Sequence, residues 1–159
     1  MATDDEVTIY TDGSALGNPG PGGYGAILIH KKKRKEISGG FRLTTNNRME
    51  ILAIVESLTL LKKSCRVTIW SDSQYVVNAM TKGWIDGWQR KNWIKSDKKP
   101  VKNIDLWKRM IKVTQDHSID FQWLRGHTGH EENERCDVLA KEGAQGENLP
   151  ADEGYEAKL

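Results

Sequence analysis

The chain has 159 residues, 37% of them hydrophobic and 29% charged, which excludes a disordered polymer and gives one ordinary domain enough chain to bury a core without staples. No run near 18 apolar residues and no secretory hydrophobic stretch occurs, so neither a membrane span nor export is expected. The formal charge of +2 conceals an asymmetry: ten Lys/Arg stand against three Asp/Glu between Lys82 and Lys112, a local +7 that leaves −5 for the remainder.

A basic patch on a mildly acidic body draws a polyanion to one face. Cys65 and Cys136 neighbour apolar residues and belong to no C-x-x-C pair or Cys/His cluster. They are expected to be reduced, core-filling thiols of a cytoplasmic protein.

In chain order, residues 1–6 are polar and expected to fray. Residues 7–12 alternate as a strand, with Val7, Ile9 and Thr11 on one face and Thr8, Tyr10 and Asp12 on the other. "GNPGPGG" reads as a turn, 24–30 as a second strand, "KKKRKE" as a charged hairpin region and 37–44 as a third strand. At "TTNNRMEILAIVESLTLLKK" the period becomes helical, with Thr or Asn as cap and Lys62 and Lys63 at the far end. A strand at 67–71 and a short helix at 73–80, stopped by Gly83, follow. The basic, tryptophan-rich 82–102 segment predicts short helical pieces and a protruding loop. A helix over 104–114, a strand over 119–124, the loop "RGHTGHEEN" and a helix from about 131 to 142 complete the order. The expected unit is a single domain over 1–143. The tail over 144–159 is polar, with Gly146 and Pro150 arguing against a continued helix, and disorder is one expected state for it. Three strands, a helix, a strand, helices, a strand and a helix imply an α/β fold, a mixed five-stranded sheet with helices on its faces.

The strands "VTIYTDGS" and "VTIWSDS" match almost residue for residue and each ends in an aspartate, Asp12 and Asp72. Laid parallel, they bring both carboxylates to the C-terminal edge, where open α/β sheets place their sites. Two like charges so placed call for a divalent cation between them. Glu50 and Asp137 each lie early in a helix that follows an Asn- or Gly-rich loop and can complete the set. Four carboxylates without cysteine or clustered histidine suit Mg²⁺ or Mn²⁺ rather than zinc. A lone Asp by a glycine turn is more often a cap; the set taken together carries the argument. His127, between Gly126 and Gly129, can move a proton near neutral pH or be an ordinary turn residue. His130 reads as structural.

Together, "YTDGSALGNPGPGGYGA", "TTNNRMEILA", "WSDSQYV", "KGWIDGWQRKNW", "KKPVKNIDLWKRM" and "WLRGHTGHEENERCDVLA" resemble the type 1 ribonuclease H family, in its bacterial form with a basic handle. The resemblance implies a ribonuclease H-like fold and endonucleolytic hydrolysis of the RNA strand of RNA/DNA hybrids by two-metal-ion catalysis. It leaves 5′-phosphate and 3′-hydroxyl ends with little sequence preference. It implies two Mg²⁺ ions, with Mn²⁺ as a substitute, on Asp12, Glu50, Asp72 and Asp137, and a catalytic role for His127. It places Asn18, Asn46, Gln74 and Asn133 on the hybrid, Thr45 and Asn47 beside them at a DNA-strand phosphate, Glu134 near the 2′-hydroxyl, and Ser14 where some relatives carry cysteine. The handle corresponds to Lys82, Trp84, Trp88, Arg90, Lys91, Trp93, Lys95, Lys98 and Lys99, whose positive surface is expected to bind the hybrid while most of its tryptophans pack. A monomer is expected. The competing readings are another carboxylate-edged nuclease, such as a proofreading exonuclease or junction resolvase, and a binding module without turnover.

Overall fold

The computed structural model describes residues 5–125 and 130–159. In chain order the elements are β1 (Glu6–Ala15), β2 (Gly20–His30), β3 (Lys33–Thr44), α1 (Asn46–Thr59), β4 (Arg66–Ser71), α2 (Gln74–Thr81), α3 (Trp84–Arg90), α4 (Ile104–Thr114), β5 (Ser118–Trp123), α5 (Glu131–Ala144) and α6 (Glu153–Glu156). The five strands form one sheet in the order β3-β2-β1-β4-β5. β1, β2 and β3 pair antiparallel, while β4 and β5 add in parallel. This is the mixed sheet that the order of elements implies.

The matching strands lie side by side, with Val7 opposite Val67, Ile9 opposite Ile69 and Thr11 opposite Ser71. Alternation sends Val7, Ile9, Val67 and Ile69 into the larger core, which α1 and α4 supply with Met49, Ile54, Leu58, Trp107 and Met110. Fully burying such side chains contributes roughly 1.5–3 kcal/mol each and fixes which face each strand turns inward. On the opposite face Ile27 packs with Cys136 and Leu139 of α5, flanked by Tyr10 and Ile29. Asp12 shares the parity of Tyr10 and therefore points to the α5 side. Both cysteines are buried and free.

Two expectations need correction. The glycine run is a turn only over 16–19, because β2 already begins at Gly20. These glycines let a helix close on the sheet: a Cβ at Gly25 would lie 2.6 Å from the Cys136 carbonyl oxygen, and one at Gly23 would overlap the Ala140 carbonyl. The segment after α5 is ordered. Arg42 N donates to the Pro150 carbonyl at 2.9 Å, Asp152 is buried, and α6 packs on β3. Its polar composition hid a single buried carboxylate.

The 82–102 segment projects between α2 and α4. Trp88 anchors it, with ring centroids 5.7 Å from Trp107, 6.1 Å from Trp84 and 6.4 Å from Trp93. Ile85 and Val101 are buried beneath it, and an antiparallel bridge between Ile94 and Pro100 closes its loop. Lys82, Arg90, Lys91, Lys95, Lys98 and Lys99 are all exposed. Trp88 and Trp93 pack against the core, Trp84 is exposed beside them, and these cations face solvent.

Candidate metal centre and nucleic-acid interface

Asp12 lies in β1 directly opposite Gly25 of β2, and Gly13 N donates to its Oδ1 at 2.9 Å. Asp72 is the first residue past β4. Its carbonyl accepts from Trp123 Nε1 at 3.2 Å, and Leu124 N donates to the Ser71 carbonyl at 2.8 Å, so β5 pins the backbone on which it sits. Glu50 comes from α1, whose start is fixed by three bonds. Arg48 N donates to the capping Thr45 Oγ1 at 3.3 Å, Asn46 N to Asn18 Oδ1 at 3.1 Å, and Ala15 N to Asn46 Oδ1 at 2.6 Å. A Cβ on Gly13 would overlap the backbone of Met49 and Glu50, so only glycine lets α1 press its first turns against the end of β1. Asp12, Glu50 and Asp72 thereby each offer a carboxylate oxygen within 4.8 Å of the others.

The cluster is costly as it stands. Asp12 is 3% exposed and Glu50 8%, and Glu50 Oε2 is buried without a hydrogen-bond partner. Burial first, then the charges of Asp72 and Asp137, push the Asp12 carboxyl up to about 8, against a hydrogen bond from Glu50 that lowers it. Burial, followed by Asp12 and Asp72, holds Glu50 well above the usual carboxylate range. Carboxylates so placed either take up protons or share a cation. The donor set is all oxygen, because the Cys136 thiol, itself raised by burial, is turned away to the Tyr10 carbonyl at 3.3 Å. Hard oxygen donors fit a divalent cation of the Mg²⁺ class.

Of the four expected ligands, three form the compact group. Asp137, on α5, stands at its margin: it acts on Asp12 by charge and by a side-chain hydrogen bond, and its Oδ2 pairs with Lys141 Nζ at 2.9 Å. His127 lies outside the described residues. Of the expected substrate contacts, Asn18 accepts from Asn46 N and Thr45 from Arg48 N at the start of α1, with Asn47 exposed beside them. Ser14 follows Asp12 and Gly13 on β1, half-buried; Gln74 is exposed as the first residue of α2, and Glu134 is exposed on α5. Asn133 is not at the surface: it is buried, with 1% exposure.

Sequence reasoning missed Arg48. Its side chain, buried and charged, grips two carboxylates, donating to Asp152 at 2.7 and 2.9 Å and to Asp105 at 2.8 and 2.6 Å. Thr44 Oγ1 adds a 2.6 Å bond to Asp152. An arginine within "RMEILAIV" was the available signal. Its partners are 57 and 104 residues away in sequence, so no local pattern names them.

The RNase H family matches residues 4–145. "Ribonuclease H" of Nitratidesulfovibrio vulgaris strain DP4 is 58% identical over 152 residues, covering 96% of this chain and 97% of that protein. "Ribonuclease H" of Shewanella denitrificans is 54% identical over 159 residues, covering 100% and 99%. Among solved structures, LC9-RNase H1, described as a type 1 RNase H with the type 2 active-site motif, superposes with a TM-score of 0.81 at 29% identity, over 99% of this chain and 82% of that one. LC11-RNase H1, solved in complex with an RNA/DNA hybrid, shares the fold with a TM-score of 0.63 at 24% identity, over 87% and 96%.

Proposed function

Because the chain belongs to the ribonuclease H family, we propose that it cuts the RNA strand of RNA/DNA hybrids endonucleolytically, leaving 5′-phosphate and 3′-hydroxyl ends. The observation that carries this reading is the group Asp12, Glu50 and Asp72 with an orphaned, buried Glu50 oxygen. Such a group is stable in its charged form only around a cation. Asp12, Glu50, Asp72 and Asp137 would hold two divalent ions, Mg²⁺ or in substitution Mn²⁺. When bound, such ions supply an activated water and offset charge on the departing 3′ oxygen.

The remaining chemistry belongs to the chain. Asp12, on a central strand and hydrogen-bonded to Gly13 N, would be a ligand at the centre of that set. Asp137, on the margin of the cluster, would handle protons and product departure, a role that the family resemblance also gives to His127. The amides of Asn18, Asn46 and Gln74, with Ser14 and Glu134 nearby, line the approach of the strand to be cut. Amide and carboxylate groups there can recognise a 2′-hydroxyl, which both donates and accepts. Contacts to phosphate and sugar carry little base information, so sequence preference is slight. The exposed handle cations add charge to the hybrid-binding face. No helix among the described residues is long and apolar enough to cross a membrane; a cytoplasmic monomer is the working form under this proposal.

End-labelled RNA/DNA, RNA/RNA, DNA/DNA and single-stranded substrates, with Mg²⁺ and with chelator, test the proposal. Internal, Mg²⁺-dependent cuts confined to RNA within the hybrid are expected. Cuts in DNA would move the chain to another nuclease class, and binding without cuts would make it a binding module.

A further inference from the structure

Beyond the carboxylates, one side-chain pair stands at the same edge of the sheet. Trp123 ends β5 and is 38% exposed. Ile119 and Phe121, of the same parity, pack on the larger core, so Trp123 marks the point where that face of β5 leaves the core. Its Nε1 donates to the Asp72 carbonyl at 3.2 Å, which ties the indole to the backbone beside the cluster. Arg125, exposed two residues on, lays its guanidinium over the ring, 5.6 Å from the centroid. No carboxylate among the described residues pairs with Arg125. A cation held by an aromatic face, and not by an anion, keeps its N–H donors for a ligand. The strands β1, β4 and β5 are consecutive and parallel, and Asp12, Asp72 and Arg125 stand at or just past their three C-terminal ends. Neighbouring strands lie about 4.8 Å apart, and the charges of one nucleic-acid strand recur about every 3.4 Å along a duplex. A backbone running along this edge past the carboxylates therefore meets Arg125 one or two phosphates further on.

We propose that Arg125, held in place by Trp123, binds a phosphate of the RNA strand one or two linkages from the one that is cut. This rests on the ribonuclease H reading, which puts the RNA strand at Asp12, Glu50 and Asp72. The guanidinium fork matches two phosphate oxygens at once, which an ammonium group does not. Trp123 is the positioning residue. Without the ring, Arg125 is a long side chain whose rotamers the substrate itself must order, at a cost in affinity. A phosphate contact carries no base information, so the pair sets the register of the RNA strand and leaves sequence preference slight.

The test is binding of a fluorescent RNA/DNA hybrid in chelator, across a KCl series, to the parent, Arg125→Gln, Trp123→Phe, Trp123→Leu and Arg66→Gln. Arg66 opens β4, at the other end of the sheet. Losing one phosphate contact should weaken Arg125→Gln about 3- to 10-fold at low salt and reduce the slope of log K against log salt by about 1. Arg66→Gln should keep the parental slope. Trp123→Phe keeps an aromatic face without the bond to Asp72 and should bind as the parent does. Trp123→Leu loses the face and should bind about 2- to 5-fold more weakly, with no further loss when it is added to Arg125→Gln. An unchanged Arg125→Gln, or equal losses in Arg125→Gln and Arg66→Gln, overturns the proposal. Full additivity of the two substitutions, or a Trp123→Phe that falls as far as Trp123→Leu, overturns the positioning role of the ring. A walk of single methylphosphonates along the RNA strand, each beside a 2′-O-methyl ribose, adds a coupling readout: one position near the cut should weaken the parent and leave Arg125→Gln unaffected. Coupling found only on the DNA strand overturns the strand assignment. A parent that neither binds nor cuts hybrid would instead sink the ribonuclease H reading on which this proposal stands.

Discussion

At Asp12 the fold holds a carboxylate where a proton or a cation must accompany it. The folded group titrates near 8 against an ordinary 3.8. Between those values the folded chain keeps a proton that the unfolded chain has released. Stability without metal therefore falls as pH rises from the lower value to the upper, and the penalty is constant beyond it. Asp12→Asn removes this group's titration and leaves that of buried Glu50, so melting in chelator should show the variant about 5 °C above the parent at pH 9 and level with it near pH 4, the order expected for about 2 kcal/mol in a chain this size. Added Mg²⁺ should raise the parent's Tm and leave that of the variant nearly unmoved. The same substitution should abolish turnover while keeping hybrid affinity. Parallel pH profiles would contradict the electrostatics, and full activity would contradict the proposal that Asp12 helps to hold the catalytic metal. The pair Asp12 and Asp72 was legible because the signal is local, two like strands each ending in Asp. The cost at Glu50 was not, since an orphaned oxygen is a property of packing that no spacing encodes.

At the scale of elements, α5 depends on the absence of a side chain. Gly25 stands opposite Asp12 in the ladder and directly beneath the Cys136 carbonyl, one residue from Asp137. Gly25→Ala must push α5 away from the sheet, carrying Asp137 off Asp12. A loss of roughly 1–3 kcal/mol of stability is expected from the overpacking, together with a drop in kcat larger than any change in KM. Retained kcat in that variant would show that Asp137 does not need this approach. The handle separates the other way. Arg90, Lys91 and Lys95 are exposed on a segment whose anchor is Trp88 against Trp107. Replacing the three cations with Ala should raise KM more than it lowers kcat and leave Tm nearly unchanged; an unmoved KM would remove the handle from hybrid binding. Sequence reasoning read the glycines as turn formers because turns and close helix–sheet contacts ask for the same residue. Of the handle tryptophans, Trp88 and Trp93 pack against the body while Trp84 stays exposed at the edge of the stack, a division that the alternation of aromatic and basic residues does not encode.

Across the whole molecule, Arg48 ties together the start of α1, the start of α4 and the segment after α5. Removing residues 146–159 would leave this buried guanidinium with Asp105 as its one carboxylate partner among the described residues, beside a long contact to Asn103. Breaking a buried charge pair costs about 3–5 kcal/mol, so urea unfolding of the truncated chain should show a fall of that order, and a change under about 1 kcal/mol would mean that Asp105 suffices. Arg48 and Asp152 were illegible together for a plain reason: their 104-residue separation exceeds any periodic pattern, and a tail rich in charge looks the same whether one carboxylate is buried or none is. The paired strands were easier because the chain states them twice. Their alignment has a further consequence. Thr11 and Ser71 occupy the same rung, so Asp12 and Asp72 depart one step beyond it on the same face. A single residue gained or lost upstream within either strand would invert the parity of its last side chain and send one carboxylate to the opposite face. Insertions and deletions are therefore ruled by evenness in β1 and β4, while the hairpin tip and the handle loop can change length freely. Where this scaffold has drifted in size, its lengthening should be found in the second kind of place.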